Sequence, residues 1–415
     1  MQKYILKNTP ETGFIPTIDY KSELNAEQYR VVTEGEGPCL VLAGAGSGKT
    51  RTLVYRVAYL VERGVHPSNI LLVTFTNKAS REMLNRVEAI LKRDPKGLWG
   101  GTYHHLANRL LRKYAPALGY QTNFNILDAD DAKSLLKTVI AELGINSKDK
   151  YFPKVDLIHA LLSFAENSRS PIEDVIAFKY KNINESLVPQ LRAIADAYRQ
   201  KKLASNVMDF DDLLTNWYRL VNEHPDIRAK LKEQFQYILV DEYQDTNKIQ
   251  GMIIERLANE AKNILVVGDD AQSIYSFRAA TVDNILNFPK EFSGTRTFKL
   301  EENYRSASTI LDVANASIAQ NSNQFKKELR STKEGGSKPT IVPCGDNYKQ
   351  ARFIAQRILE LTDGGAALND IAVLFRSTYQ VPELELELNK RGIPYIVRGG
   401  IRFFEQAHVK DLVAF

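Results

Sequence analysis

Residues 41–50 read VLAGAGSGKT, an apolar run that passes into three closely spaced glycines and closes on a lysine and a threonine. Gly44, Gly46 and Gly48 permit a backbone curl whose N–H groups point inward at phosphates, where the start of a following helix adds partial positive charge. In that pattern Ala45, Gly46, Ser47 and Gly48 line the phosphates, Lys49 reaches the β- and γ-phosphates, and the Thr50 hydroxyl ligates Mg2+. Ala43 stands where the strict pattern has glycine, so the match is to the relaxed form with small residues. A strand-like run before the loop and helical periodicity after it are the context such a loop requires.

Residues 237–246, YILVDEYQDT, form a second apolar run that ends in adjacent acids. A buried strand rarely closes on paired carboxylates without a use for them. Asp241 is suited to hold Mg2+ through water, and Glu242 to take the proton of an attacking water, which needs a carboxylate within hydrogen-bond reach. Taken alone, the pair also reads as a helix cap followed by a solvated acid; beside a phosphate loop the catalytic reading prevails. A third run, VVGDDAQSIYSFRAA at residues 266–280, sets polar groups just past an apolar strand, the ligand-facing edge of an open α/β sheet. Gln272 is the natural γ-phosphate sensor there, because a neutral amide bonds a phosphate oxygen when one is present and relaxes after hydrolysis. On periodicity alone, Tyr275 and Phe277 read as core aromatics.

These residues need a scaffold. Runs rich in Val, Ile and Leu at 39–43, 70–75, 237–240, 264–268, 297–300, 371–375 and 395–397 predict buried strands. Helical periodicity follows most of them, as at 52–63 and 79–91, and such alternation predicts an α/β fold with a parallel sheet covered on both faces. Residues 128–205 carry helical spacing and polar turns instead, which predicts a helical insertion. The sheet is then interrupted after about its third strand and resumes at Tyr237. Residues 1–20, with Pro10, Gly13 and Pro16, predict a flexible leader. From 406 to 415 an amphipathic helix starts and stops within its own periodicity, which suggests a truncated segment.

Composition sets the outer limits. The 415 residues carry a formal charge of +5 and a pI near 8.8, compatible with a polyanionic partner but below the range that marks a dedicated nucleic-acid domain. No apolar run is long enough to cross a membrane, and residues 1–14 lack the pattern of a secretory signal, so a soluble, cytoplasmic protein without a membrane partner is expected. Cys39 and Cys344 stand far apart with no Cys or His at metal-ligand spacing, which argues against a disulfide or zinc framework.

In this order the three elements resemble the UvrD, Rep and PcrA family of superfamily 1 DNA helicases, from Leu24 to the last residue. LNAEQ at 24–28, TFTNKA at 74–79, GTYHHL at 101–106, DFDDLL at 209–214, LEENYRS at 300–306, LFRS at 374–377 and GGIRFF at 399–404 carry the likeness together with the loop and the DEYQD run. The resemblance implies a RecA-like phosphate-loop domain from 21–115 and 206–300, with a helical inserted subdomain at 116–205. It further implies the first part of a second RecA-like domain at 301–398 and the start of a further, truncated segment at 399–415. By the same resemblance Gln28 reads the adenine edge, Arg51 and Tyr304 sandwich the ring, and Arg305 reaches the γ-phosphate across the cleft.

The family also implies a channel for single-stranded DNA, with a preference for junctions between duplex and single strand, movement from 3′ to 5′, and partners in repair or replication. Phe75, Phe210, Tyr275 and Phe277 stand at its stacking positions, and Thr76, Asn77, His104, Arg278 and Arg376 near the strand backbone. Stacking of bases on aromatics tolerates any sequence, as a motor stepping along a strand requires. Several positions depart from the family pattern. Phe277 replaces a usual Trp, Ala279 or Ala280 a usual Gly, and Tyr103, His104 and His105 a usual Phe-His-Ser; the adjacent histidines have no partner at metal-ligand spacing. EQAHVKD at 405–411 also departs from the expected acid and arginine. The last arginine-bearing motif of the family is not found before Phe415, so the chain alone is expected to hydrolyse ATP slowly and not to unwind. An ATP-responsive single-stranded DNA-binding module is the alternative reading. A helicase fused to a nuclease is another, though no nuclease carboxylate and lysine cluster occurs in the sequence. Phosphate-loop kinases and transporter ATPases fit poorly, needing neither TFTNKA nor the tyrosine–arginine pair.

Overall fold

The computed structural model describes residues 16–398 apart from 147, 148, 150, 277 and 278. Most of the leader, the GGIRFF run and the segment 399–415 therefore lie outside the described residues. The described chain opens with a short helix α1 (Tyr20–Glu23) and α2 (Ala26–Glu34), the latter started by a reciprocal capping box between Asn25 and Gln28. Three strand–helix units follow. β1 (Cys39–Ala43) feeds α3 (Lys49–Glu62), β2 (Ile70–Thr74) feeds α4 (Asn77–Leu91), and β3 (Trp99–Thr102) feeds α5 (Tyr103–Tyr114).

The chain then leaves this sheet. A two-residue strand β4 (Asn125–Ile126) leads into α6 (Ala129–Glu142), α7 (Val155–Ser168), α8 (Ile172–Lys179) and α9 (Val188–Ala204). β5 (Val207–Met208) returns beside β4 in parallel, so one small ladder brackets the whole excursion. The four helices bury their own apolar cluster, including Leu136, Ile158, Leu161, Ile176, Leu191 and Ile194. A helical segment that hides its own apolar stripes in this way needs no place on the sheet.

α10 (Phe210–Glu223) and α11 (Pro225–Gln234) bring the chain back to β6 (Tyr237–Val240) and α12 (Lys248–Leu257), then to β7 (Ile264–Gly268), α13 (Asp283–Glu291) and β8 (Arg296–Leu300). The main sheet runs β3-β2-β6-β7-β1-β8, every pair parallel. Period-two alternation divides its side chains between two cores. Leu40, Leu42, Leu71, Val73, Ile238, Val240 and Val266 face α5, α10 and α12, whereas Val41, Leu72, Leu239, Leu265 and Val267 face α3 and α4. Because both faces are covered, β1, β2, β6 and β7 read as apolar runs, which is why the sequence revealed them. β3 was hidden because its WGGT sequence has little strand propensity. At Gly100 a Cβ would lie 2.7 Å from the Leu84 side chain, so a larger residue there would have to displace that leucine.

Beyond the sheet, β9 (Glu302–Ala307), α14 (Ser308–Ile318) and β10 (Arg330–Lys333) follow, with β9 and β10 paired in parallel. They belong to the first of two compact units, which divide between Ser337 and Lys338. In the second unit α15 (Asn347–Asp363) and α16 (Val381–Lys390) pack around Ala355, Ile358, Leu388 and Ile393. Here two expectations need correction: 371–375 and 395–397 are not strands among the described residues. Ile371 and Val373 keep the alternation of a strand by packing on that cluster, but no neighbouring segment among the described residues supplies the N–H and C=O partners that make a ladder.

Candidate nucleotide site and strand groove

The phosphate loop lies between β1 and α3 and is held from both sides. Gly46 (φ +77°) and Gly48 (φ +85°) adopt left-handed backbone, and crowding adds a second requirement for glycine. A Cβ on Gly48 would lie 2.5 Å from Gln28, and one on Gly46 would lie 2.7 Å from Arg305. Gln28 donates to the Ser47 carbonyl at 3.1 Å, Asn303 donates to the Ala45 carbonyl at 2.5 Å, and the Tyr304 N–H donates to the Gly46 carbonyl at 3.0 Å. These bonds occupy carbonyl groups of the curl. No side chain caps the first turn of α3, whose N–H groups suit an anion.

β6 ends on the acids. Lys49 Nζ sits 2.7 Å from Glu242 Oε2. Glu242 has φ +50°, a left-handed conformation that costs a non-glycine residue about 1–2 kcal/mol. Asp241 is buried, and burial first, then the neighbouring Glu242, pushes its pKa up to about 7. Its Oδ1 has no hydrogen-bond partner, a costly arrangement for a buried carboxylate and one that a cation would relieve. Thr50 follows Lys49 in the first turn of α3, so the donor set of one hydroxyl and one carboxylate fits Mg2+.

A chain of hydrogen bonds continues from Glu242. Gln244 donates to Glu242 Oε2 at 2.8 Å and, through its carbonyl, accepts the Asp269 N–H at 3.0 Å. Gln272 donates to Asp269 Oδ2 at 2.6 Å. The proposed sensor is thus connected to the proposed base through Asp269 and the buried Gln244, two residues that the sequence reading passed over. Gln244 lies within the DEYQD run itself, an uncharged amide just past the paired acids.

Near α1, Arg51 donates to the backbone carbonyl and carboxylate of Glu23, both at 2.7 Å, and lies over the Tyr55 ring. Tyr304 donates to Glu302 at 2.8 Å and accepts from Asn25 at 2.7 Å. Gln28, engaged by Ser47 and by the capping box, is 2% exposed. Gln28 and Tyr304 therefore border the phosphate loop directly, and Arg51 adjoins it through α3. Arg305 is exposed beside Gly46.

A groove of about 510 Å3 opens between the sheet edge and the inserted helices, lined in part by Phe75, Thr76, His104, Asn167, Asp245, Asn247 and Tyr275. Phe75 and Tyr275 lie 5.1 Å apart, and His104 meets Phe210 edge to face at 6.0 Å. Phe210 is half exposed, unlike a core aromatic. Thr76 and Thr102 cap α4 and α5 by accepting from Ala79 and His105, which places Asn77 and His104 in first turns whose N–H groups suit phosphate. Burial lowers the His104 pKa, which favours the neutral imidazole. Asn247 donates to Asn167 at 2.7 Å, and Asn167 donates to Asp211 at 2.6 Å, tying the insertion to the turn after β6. Ala279 has φ +61°, the backbone that makes glycine the easier choice near this position. Phe277 and Arg278 lie outside the described residues. Arg376 is exposed in the second unit. Among the described residues no cluster has the makings of a metal site built from His, Cys, Asp and Glu, and no helix is long and apolar enough to cross a membrane.

Comparison with known proteins gives two matches to family models: UvrD/REP helicase N-terminal domain over residues 24–293 and UvrD-like helicase C-terminal domain over residues 298–415. Among curated relatives, the ATP-dependent DNA helicase PcrA of Staphylococcus epidermidis is 37% identical over 393 residues, which are 94% of this chain and 53% of that protein. The protein of the same name from Staphylococcus aureus is 36% identical over 395 residues, 95% of this chain and 53% of its own. The chain thus spans about half the length of the curated relatives it matches.

Proposed function

The chain belongs to the UvrD/REP helicase family, and on that premise we propose that it binds ATP with Mg2+ and hydrolyses it to drive movement along single-stranded DNA. One observation carries this reading. The turn after β6 touches both sites: Glu242 pairs with Lys49 of the phosphate loop, while Asp245 and Asn247 line the aromatic groove. A change in phosphate occupancy that moves this turn therefore moves the wall of the groove.

In the reaction, Lys49 exchanges Glu242 for the β- and γ-phosphates as ATP arrives, and the released carboxylate accepts a proton from the attacking water. Thr50 and Asp241 hold Mg2+, which when bound offsets negative charge on the phosphate oxygens. Gln272 bonds the γ-phosphate and relays its loss through Asp269 and Gln244. Arg305 adds positive charge from β9, and Gln28, Arg51 and Tyr304 hold the adenine. Bases stack on Phe75, Phe210, Tyr275 and Phe277, with Thr76, Asn77, His104, Arg278 and Arg376 on the strand backbone. Movement from 3′ to 5′, preference for strand junctions, service in repair or replication and a cytoplasmic location complete the proposal.

The test is ATP turnover by the chain with and without a single-stranded oligonucleotide, with Lys49→Ala as the control. Lys49-dependent stimulation supports a translocase. Binding of both ligands without stimulated turnover supports the ATP-responsive binding module instead.

A further inference from the structure

Lys327 lies in QFKKELR at 324–330, a polar stretch that reads as a solvated face. The fold buries it instead, with its side chain 5% exposed. Its Nζ lies 2.8 Å from Asp269 Oδ1 and 2.5 Å from Asp270 Oδ1, and the Phe325 N–H donates to Asp270 Oδ2 at 2.9 Å. Burial works against the ammonium, yet the two carboxylates outweigh it and raise its pKa. A buried ion cluster is a weak source of stability, since apolar residues of similar volume hold a fold as well or better. The position of this one is more telling than its energy.

Asp269 is the junction of the network described above, bonded to Gln244 on one side and Gln272 on the other. Lys327 stands just before Leu329, whose side chain covers Gly44 so closely that a Cβ there would lie 2.4 Å away. It also precedes β10, which pairs with the strand bearing Tyr304 and Arg305. One ammonium group thus joins the sensor turn to the ladder that borders the phosphate loop.

We propose that Lys327 is a positioning residue for ATP hydrolysis, fixing Asp269 so that Gln244 and Gln272 are set relative to Glu242, and tying that setting to the Arg305 ladder. This rests on the ATPase reading above. A merely structural ion pair would serve Asp269 and Asp270 alike, whereas only Asp269 continues to Gln244 and Gln272.

The experiment measures kcat and KM for ATP in the full chain carrying Lys327→Met, Gln272→Ala or both. Lys327→Met is expected to lower kcat at least about tenfold while KM stays within about threefold, the mark of an interaction needed in the transition state. The double variant is expected to be no slower than the slower single, because both act through one junction. Losses that multiply, or an unchanged kcat with a lowered melting temperature, overturn the proposal. Should Lys327→Met fail to fold, Asp269→Asn and Asp270→Asn provide the decision. Only Asp269→Asn is expected to lower kcat about tenfold, and equal kcat in the two variants overturns the assignment. An unsubstituted chain without Lys49-dependent turnover overturns the ATPase reading itself, and this inference with it.

Discussion

Lys49 and Glu242, 193 positions apart in sequence, meet at 2.7 Å at the carboxyl edge of the sheet. Each neutralises the other there, and on the proposed reading each takes a separate task once ATP displaces the pair. Lys49→Ala is therefore expected to weaken ATP binding and abolish turnover. Glu242→Gln should keep ATP affinity within a few-fold while lowering turnover by about 100-fold or more, the range of a general base. Fluorescent-nucleotide titration beside steady-state hydrolysis separates the two effects; parallel losses in both variants would remove the division of labour.

The groove aromatics make a second expectation. Phe75→Ala and Phe210→Ala should each weaken binding to single-stranded oligonucleotides by about 1–3 kcal/mol, with similar losses on thymine-rich and mixed sequences. Fluorescence anisotropy at fixed salt reads this directly. A loss confined to one sequence would point to base-edge recognition in place of stacking.

Where α9 of the inserted helices hands over to α10, Lys202 lies between Asp209 and Asp212, at 2.6 and 2.7 Å. Two buried acids share one ammonium there, and burial first, then Asp209, pushes Asp212 up to about 7. An acid raised in the folded state binds its proton more tightly than in the unfolded chain, so its contribution to stability is present at low pH. That contribution is lost as pH rises from the ordinary carboxylate range through about 7. Urea midpoints for Asp212→Asn should accordingly fall less between pH 5 and pH 8 than those of the unsubstituted chain. An identical pH response in both would show that Asp212 is ionised throughout.

Arg56 is wholly buried and donates to the Val32 and Gly35 carbonyls, both at 2.7 Å, and to Glu36 at 3.1 Å. Arg56→Met would leave the end of α2 without these donors and is expected to cost about 3 kcal/mol, read as a shifted denaturant midpoint. A midpoint within experimental error of the parent would mean that water replaces the guanidinium.

Much of this was legible in the sequence for a physical reason. Residues in the loops just past strand ends announce themselves by chemistry, as Lys49, Asp241 and Gln272 do, and strands buried on both faces announce themselves as apolar runs. Other features depend on partners far away in the chain. Lys327 looks like any surface lysine until the fold brings Asp269 to it, and Gln244 looks like a turn residue until Glu242 and Asp269 flank it. β9, rich in polar residues, is held by the phosphate loop through Asn303 and Tyr304 rather than by its own propensity. Conversely, residues 371–375 have strand propensity but form no ladder among the described residues.

On the proposed reading, the turn from Asp241 to Asn247 makes nucleotide and strand binding one event. The affinity of the chain for a single-stranded oligonucleotide, with and without a non-hydrolysable ATP analogue, tests it most directly. Linkage requires the analogue to change strand affinity by the same factor as the strand changes analogue affinity; about fivefold or more is expected, and Lys49→Ala should abolish it. Strand affinity that is the same with and without the analogue, in a chain that binds both, would show that the two sites are not coupled through this turn.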